Sequence, residues 1–353
     1  MSNKKIKYVS QKDIRKCSGR YVIVLGERSN GKSYAVKGTV LEDYLKNGTQ
    51  FVYLRRYEMD TKDSLCVSYF GDVPVYEITG GKYSHIDVFR KSIYLANLND
   101  DGKVVRGEKI GYCHCLSGSE HYKSLAFPEV GNIIYEEFIS QTGQYLNSES
   151  TLLQNYVSTI MRHRTGKVYL IGNKLSRICP YYKDWKLNGV LRLPEGKIED
   201  YNLDDGEGSN TVVTVFHTKS VQFNSGMFFG KAAKSITRGA YESQEQPHLP
   251  DKIYNYRVIH RVVLRYEALS FLMSLLVHKT TQEITWYVEP KTTEVQKGTR
   301  LICKDFSTNP LQSFFLEGLT DQEERAFRIL KDGRVCFSDD LTGTEFNNVL
   351  PHF

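Results

Sequence analysis

The stretch Gly26-Glu27-Arg28-Ser29-Asn30-Gly31-Lys32-Ser33 fits the phosphate-binding pattern G-x-x-x-x-G-K-[ST] without a mismatch. In such a loop, backbone N–H groups wrap the phosphates and the following helix N-terminus adds its partial positive charge. Lys32 is placed to reach the β- and γ-phosphates, and the Ser33 hydroxyl to sit on Mg²⁺. Hydrolysis at such a loop also needs acids: one on the metal side, one to polarise the attacking water. Ile133-Ile134-Tyr135-Glu136-Glu137 supplies two in a row after an apolar run. Glu136 is expected on the metal side and Glu137 as the base; two surface acids at a strand end are the alternative. Downstream, Lys167–Ile171 runs into Gly172-Asn173. A polar residue at the tip of a central strand can sense the γ-phosphate, and Asn173 can equally cap a turn. Arg162 and Arg164 close a helical segment. Basic residues there stabilise a helix C-terminus by about 0.3–1 kcal/mol. They could also serve as an arginine finger, a device that contributes roughly 10³–10⁵ in rate. Cys113-His114-Cys115, near His121, has no second ligand pair at structural-zinc spacing and reads as buried thiols.

These residues need elements to hold them. Tyr21–Leu25 is an apolar strand directly before the loop, and a helix is expected over Ser33–Leu45. Phe51–Arg55, Ile133–Tyr135 and Lys167–Ile171 are further strands. Leu152, Leu153, Tyr156, Val157, Ile160 and Met161 fall on one face at helical spacing, with Ser148 or Ser150 as the start and Gly166 as the end. Strands alternating with helices up to about Arg192 give an α/β sheet. A polar stretch from Leu193 to Asn210 reads as a linker or domain edge. Thr211–Phe216 is strand-like, and Asn224–Asp251 is loop-rich and basic. A second unit starts near Ile253, with strands at Val258–Leu264, Ser270–Val277, Ile284–Val288, Leu301–Cys303 and Arg334–Ser338. Phe314–Leu330 is helical in character. The resulting division is 1–197, a linker or lid over 198–251, and 252–353.

The chain has 353 residues, 40% hydrophobic and 25% charged, which suits a globular protein of two domains. No apolar run approaches the roughly 18 residues of a membrane span. Met1–Lys7 lacks a signal-peptide core, and the seven cysteines form no C-x-x-C pair; reduced thiols in a cytosolic setting are expected. The net charge of +6 is uneven: Gln141–Arg192 holds eight Lys/Arg against two acids, and Lys219–Arg261 seven against three. Basic zones of this size suit a polyanion such as nucleic acid.

Together these blocks resemble the DNA-encapsidation ATPases of phi29-like (Salas-type) podophages, within the terminase-like, additional-strand P-loop motors. The resemblance rests on the loop Gly26–Ser33 extended through Tyr34-Ala35, with an arginine inside it. It rests also on Gln50–Tyr57 against the family's Y-V-R-R-Y, on Ile133–Ile139 against I-V-F-D-E-F-I, and on Met161–Arg164 with Asn173 against F-R-N-R and S-N. It implies an ATP- and Mg²⁺-dependent homopentameric ring that moves double-stranded DNA into a procapsid, in the host cytoplasm and transiently at the portal vertex. It implies that Arg162 acts in trans as the finger, with Arg164 as runner-up. Arg28, Arg55 and Arg56 become candidates for phosphate contact or subunit coupling, and Lys123 a pore candidate, a solvated loop lysine being the alternative. The family's metal-side aspartate is Glu136 here, one methylene longer. For the C-terminal half the resemblance implies a smaller α+β, RNase H-like fold. A live nuclease needs carboxylates converging on two metals about 3.5–4 Å apart; Glu267, Glu283, Glu289, Asp305, Asp339 and Asp340 form no clear strand-borne set. A degenerate nuclease fold that docks on the portal or on a structural packaging RNA is therefore expected. A terminase with an active nuclease and a metabolic P-loop kinase are the rival readings.

Overall fold

The computed structural model describes residues 8–140, 144–162, 164–173, 179–187, 189–204, 210–220, 245–266, 269–291, 298–303, 312–313 and 319–353. They form two compact units, one reaching residue 220 and one starting at 245. Among the described residues no helix is long and apolar enough to cross a membrane.

The first unit is an α/β sandwich around a nine-stranded sheet. In chain order the strands are β1 (Tyr21–Gly26), β2 (Gln50–Arg55), β3 (His85–Phe89), β4 (Ser92–Leu98), β5 (Val104–Cys115), β6 (Val130–Glu136), β7 (Lys167–Asn173), β8 (Lys197–Asp204) and β9 (Asn210–His217). Their order across the sheet is β3-β4-β5-β2-β6-β7-β1-β9-β8. The six strands from β5 to β9 run parallel, and both edges are antiparallel. Strand β7 lies between the loop strand β1 and the acidic strand β6, the extra strand that the sequence resemblance implied.

Parallel strands covered on both faces read as unbroken apolar runs. Alternate residues of Tyr21–Leu25 accordingly enter two different cores. Tyr21, Ile23 and Leu25 pack with Leu153, Tyr156 and Ile160, from helix α5 (Glu149–Met161). On the other face, Val22 and Val24 pack with Ile14, Val36, Val40 and Phe70. Those residues come from helices α1 (Gln11–Arg15), α2 (Lys32–Asn47) and α3 (Asp63–Phe70). Two short helices complete the unit, α4 (Val75–Ile78) and α6 (Pro180–Asp184).

Three local expectations are corrected. Gly166 does not end α5, which stops at Arg162. It sits instead where β6 and β7 begin side by side, and a Cβ there would lie 1.9 Å from the Gly131 carbonyl oxygen. Ser148 precedes α5 without capping it through its side chain. The Leu146 N–H goes to Glu149 instead (2.9 Å), and the Ser150 hydroxyl goes to Asp184. Finally, the start of the 198–251 linker is no linker: β8 pairs with β9 over eight residues and closes the edge of the first sheet.

The second unit carries β10 (Tyr256–Tyr266), β11 (Leu269–His278), β12 (Ile284–Pro290), β13 (Arg300–Cys303), β14 (Gln312–Ser313) and β15 (Val335–Phe337), ordered β14-β13-β10-β11-β12-β15. An antiparallel meander of three strands, with two more running parallel beside its first, is the strand plan of the RNase H-like fold. Helices α7 (Asp321–Lys331) and α8 (Asp340–Val349) cover one face. Trp286 is buried there; its indole N–H donates to the Ala326 carbonyl (2.8 Å) and its ring stacks on Phe327.

Candidate functional site

The loop joins β1 to α2 at the carboxyl edge of the sheet, where ligands of open α/β folds bind. Its turn needs two left-handed residues, Ser29 (φ 60°) and Gly31 (φ 88°). Gly26 is required for space. A Cβ there would fall 1.9 Å from Thr218 Oγ1. Asn30 is fully buried: its side-chain amide donates to Thr218 Oγ1 (2.5 Å) and its backbone oxygen accepts from Val9 (3.0 Å). Thr218, just past β9, in turn donates to the Leu25 carbonyl (2.8 Å). The loop is thus pinned from the sheet edge by a residue that no sequence pattern indicated.

Lys32 is buried beneath the loop. Its ammonium donates to the Glu27 carbonyl (2.7 Å) and to Asn173 Oδ1 (2.8 Å). Register explains the second bond, because Gly26 and Asn173 are paired at the ends of β1 and β7. Burial lowers the lysine pKa to about 8, against an opposing pull from Glu136. The Ser33 hydroxyl donates to Glu136 Oε1 (2.8 Å). Glu136 Oε2 accepts from the Tyr69 hydroxyl (2.7 Å). Burial raises the Glu136 pKa, while those two bonds work against the rise. Loop, lysine, hydroxyl, acid and strand-tip amide therefore converge, as their spacing in sequence suggested.

Glu137 turns outward from the end of β6 at φ 56°. Its carboxylate is held by the Arg55 guanidinium at 2.6 Å, with Asp60 a second, longer partner of Arg55 at 3.7 Å. Arg28 and Tyr34 stand exposed around the loop. Beside it opens a cavity of about 790 Å³, whose walls include Tyr8, Val9, Gln11, Asn30, Lys32 and Tyr34. The wall formed by residues 8–12 had no signal in the sequence.

Two basic candidates leave the site. Arg56, expected among the phosphate contacts, is buried and doubly bonded to the fully buried Glu149 (2.8 and 3.0 Å). Tyr135 and Tyr181 donate to the same carboxylate (2.8 and 2.9 Å). A charge with partners of this kind is part of the core. Arg164 spends its guanidinium on the carbonyls of Phe127 and Ile160 (both 2.6 Å), so the runner-up finger serves as a clasp between α5 and β6. Lys123 is exposed and paired with Glu120 (2.7 Å). His114 is buried, bonded to the Tyr156 hydroxyl (2.7 Å) and stacked on Tyr122. Its pKa falls to about 3 through burial.

Arg162 is exposed and has a positive φ of 51°. It lies two residues from the Arg164 clasp, which also reaches the Val130 carbonyl at the start of β6. Glu136 ends that strand. At about 3.3 Å per residue the two edges are about 20 Å apart. Arg162 is therefore out of reach of its own chain's loop.

A family model described as Podovirus DNA encapsidation protein (Gp16) matches residues 3–189. The DNA packaging protein of Bacillus phage B103 is 32% identical over 167 residues, covering 45% of this chain and 46% of that one. Its counterpart from Bacillus phage phi29 is 30% identical over 167 residues, covering 45% and 44%. The match thus spans about half the length of either relative. The solved bacteriophage phi29 viral genome packaging motor assembly aligns over 99% of this chain and 98% of that chain, with a TM-score of 0.55 at 18% identity. That likeness is one of fold, and it extends through both units. The family match takes in the loop, Glu136-Glu137, Arg162 and Asn173, and by that stretch the chain belongs to the podovirus DNA encapsidation protein family.

Proposed function

We infer that this protein hydrolyses ATP to drive double-stranded DNA into a viral procapsid. The observation that carries the reading is the meeting of Lys32, Ser33, Glu136, Glu137 and Asn173 at one sheet edge, with Arg162 exposed at the opposite edge. ATP phosphates displace the lysine from Glu27 and take the loop N–H groups. Glu137, released from Arg55, orients the attacking water, and Asn173 senses the γ-phosphate. Arg162 from the next subunit completes the site. That sharing makes a ring the natural assembly, a pentamer by family resemblance, working in the host cytoplasm at the portal vertex.

The donor set suits Mg²⁺, because a serine hydroxyl and a carboxylate, both hard oxygen donors, already touch at 2.8 Å. Ser33 and Glu136 would hold the ion. When bound, it neutralises charge developing on the β- and γ-oxygens.

The second unit is read as a docking module for the portal or a packaging RNA. Its paired strands β10 and β13 carry no carboxylate, Glu323 is tied to Arg300 (2.6 Å), and Asp339 caps α8. Glu267 and Asp305 lie outside the described residues.

ATP turnover with and without linear duplex DNA tests the reading. DNA is expected to stimulate the wild type, and Lys32→Ala or Glu137→Gln to abolish turnover. Stimulation should fade steeply with salt, since grip on a polyanion is electrostatic. Turnover indifferent to DNA but dependent on a small acceptor would favour a kinase. Metal-dependent cutting of plasmid DNA would restore the active-nuclease reading.

A further inference from the structure

Glu136 stands where the family's motif has aspartate, and its additional methylene gives the carboxylate one more rotatable bond. In water that freedom would scatter the carboxylate over several positions, and ordering it costs side-chain entropy. The structure shows what removes the freedom. Glu136 Oε2 accepts from the Tyr69 hydroxyl at 2.7 Å, which leaves Oε1 facing the Ser33 hydroxyl at 2.8 Å.

Tyr69 is itself firmly held. Its ring stacks on Tyr53 with centroids 4.3 Å apart and planes at 27°. The buried Lys37 ammonium lies 4.5 Å from the ring centroid and donates to the Tyr69 carbonyl (2.7 Å). Lys37 also pairs with Asp72, just beyond the end of α3. Lys37 belongs to α2, the helix that begins at the phosphate loop. The tyrosine is thus fastened to the same helix that presents Ser33, and the hydroxyl and the carboxylate are positioned from one frame.

We propose that Tyr69 is a positioning residue: its hydroxyl fixes the Glu136 carboxylate so that a glutamate performs the Mg²⁺-side task of a shorter aspartate. The proposal rests on the ATP–Mg²⁺ reading of the site. It concerns one bond, from Tyr69 to Glu136, which Tyr69→Phe removes while keeping the stacked ring.

The test measures affinity for a fluorescent ATP analogue in EDTA and across a Mg²⁺ titration, for wild type, Tyr69→Phe, Glu136→Asp and the double variant. A hydrogen bond to a charged group corresponds to about tenfold or more in an equilibrium constant. The expected result is unchanged affinity in EDTA, with Tyr69→Phe needing about tenfold more Mg²⁺ for half-saturation. In the Glu136→Asp background the shorter side chain does not span to Tyr69, so Tyr69→Phe should add nothing. Equal loss with and without Mg²⁺ would make Tyr69 a packing residue and overturn the proposal. So would an unchanged Mg²⁺ requirement, or an undiminished effect in the Glu136→Asp background. Should Tyr69→Phe fail to fold, Tyr69→Leu also removes the hydroxyl, and an unaltered Mg²⁺ requirement there overturns the proposal as well. Wild-type protein that binds no nucleotide under any condition would instead overturn the reading of the whole site.

Discussion

Neighbouring arginines can have opposite fates. Arg55 and Arg56 are adjacent and look interchangeable in sequence. At the end of β2, Arg55 goes to the acid at the rim, while Arg56, just past the strand, turns inward to Glu149. Arg56→Ala would leave the buried Glu149 without its cation, and breaking a pair of this kind costs about 3–5 kcal/mol. Chemical denaturation should show that loss, while Arg55→Ala should unfold close to wild type. Retained stability in Arg56→Ala would mean that the tyrosines alone satisfy Glu149. His114 offers a pH test. Its folded pKa of about 3 lies below the ordinary value of 6.5, so below pH 6.5 the unfolded state binds the extra proton. Stability should therefore fall from pH 6.5 toward 3. His114→Gln should flatten that acid slope; an identical slope would assign the acid loss to other groups. The phosphate loop itself was legible because its chemistry is local: glycine, lysine and serine act through backbone turned within a few residues. Tyr69 was not, because its role exists only once α3 packs on the sheet and its hydroxyl reaches Glu136.

Elements show the same division. Strands β1, β6 and β7 declare themselves, since both faces are covered and each carries an unbroken apolar run: Tyr21–Leu25, Ile133–Tyr135 and Val168–Ile171. The β3–β4 hairpin does not. Its two-residue turn is Arg90-Lys91, both at positive φ (48° and 63°), where Asn-Gly would be the usual signal. Asp63 makes the turn possible by accepting from both backbone N–H groups (2.9 and 3.3 Å). Strand β8, Lys-Ile-Glu-Asp-Tyr-Asn-Leu-Asp, is polar because it is an edge strand, and polarity alone suggested a linker. Its hairpin partner β9 leads directly to Thr218, which pins Asn30. Thr218→Val would strand the buried Asn30 amide at a cost of about 1–3 kcal/mol. Thermal unfolding should register the loss, and nucleotide affinity should drop because the loop loses its anchor. Unchanged affinity would show that the loop holds its shape without the hairpin. Helix α8 was overlooked for a related reason: Thr342, Gly343 and Thr344 are weak helix formers, and the Asp339 cap with burial of Phe346 and Val349 sets the helix instead.

At the scale of the whole molecule, the sheet separates the loop and its acids from the proposed finger. Lys32, Ser33, Glu136 and Glu137 lie at its carboxyl edge, and Arg162 about 20 Å away along β6. One chain cannot bring them together; two chains in head-to-tail contact can, and such contacts form a ring where the rotation per subunit closes. The sequence offered Arg162 and Arg164 together at a helix end, and the family resemblance favoured Arg162; its exposure, and the retirement of Arg164 to a clasp, required the fold. The central claim is that each hydrolytic site is shared between subunits. Its most direct test mixes two inactive variants, Arg162→Ala and Glu137→Gln, over a range of ratios and measures DNA-stimulated ATP turnover. Shared sites predict recovery of activity, greatest near equal amounts, because some interfaces then pair an intact Glu137 with an intact Arg162. No recovery at any ratio, with mixed assembly shown independently, would contradict the account.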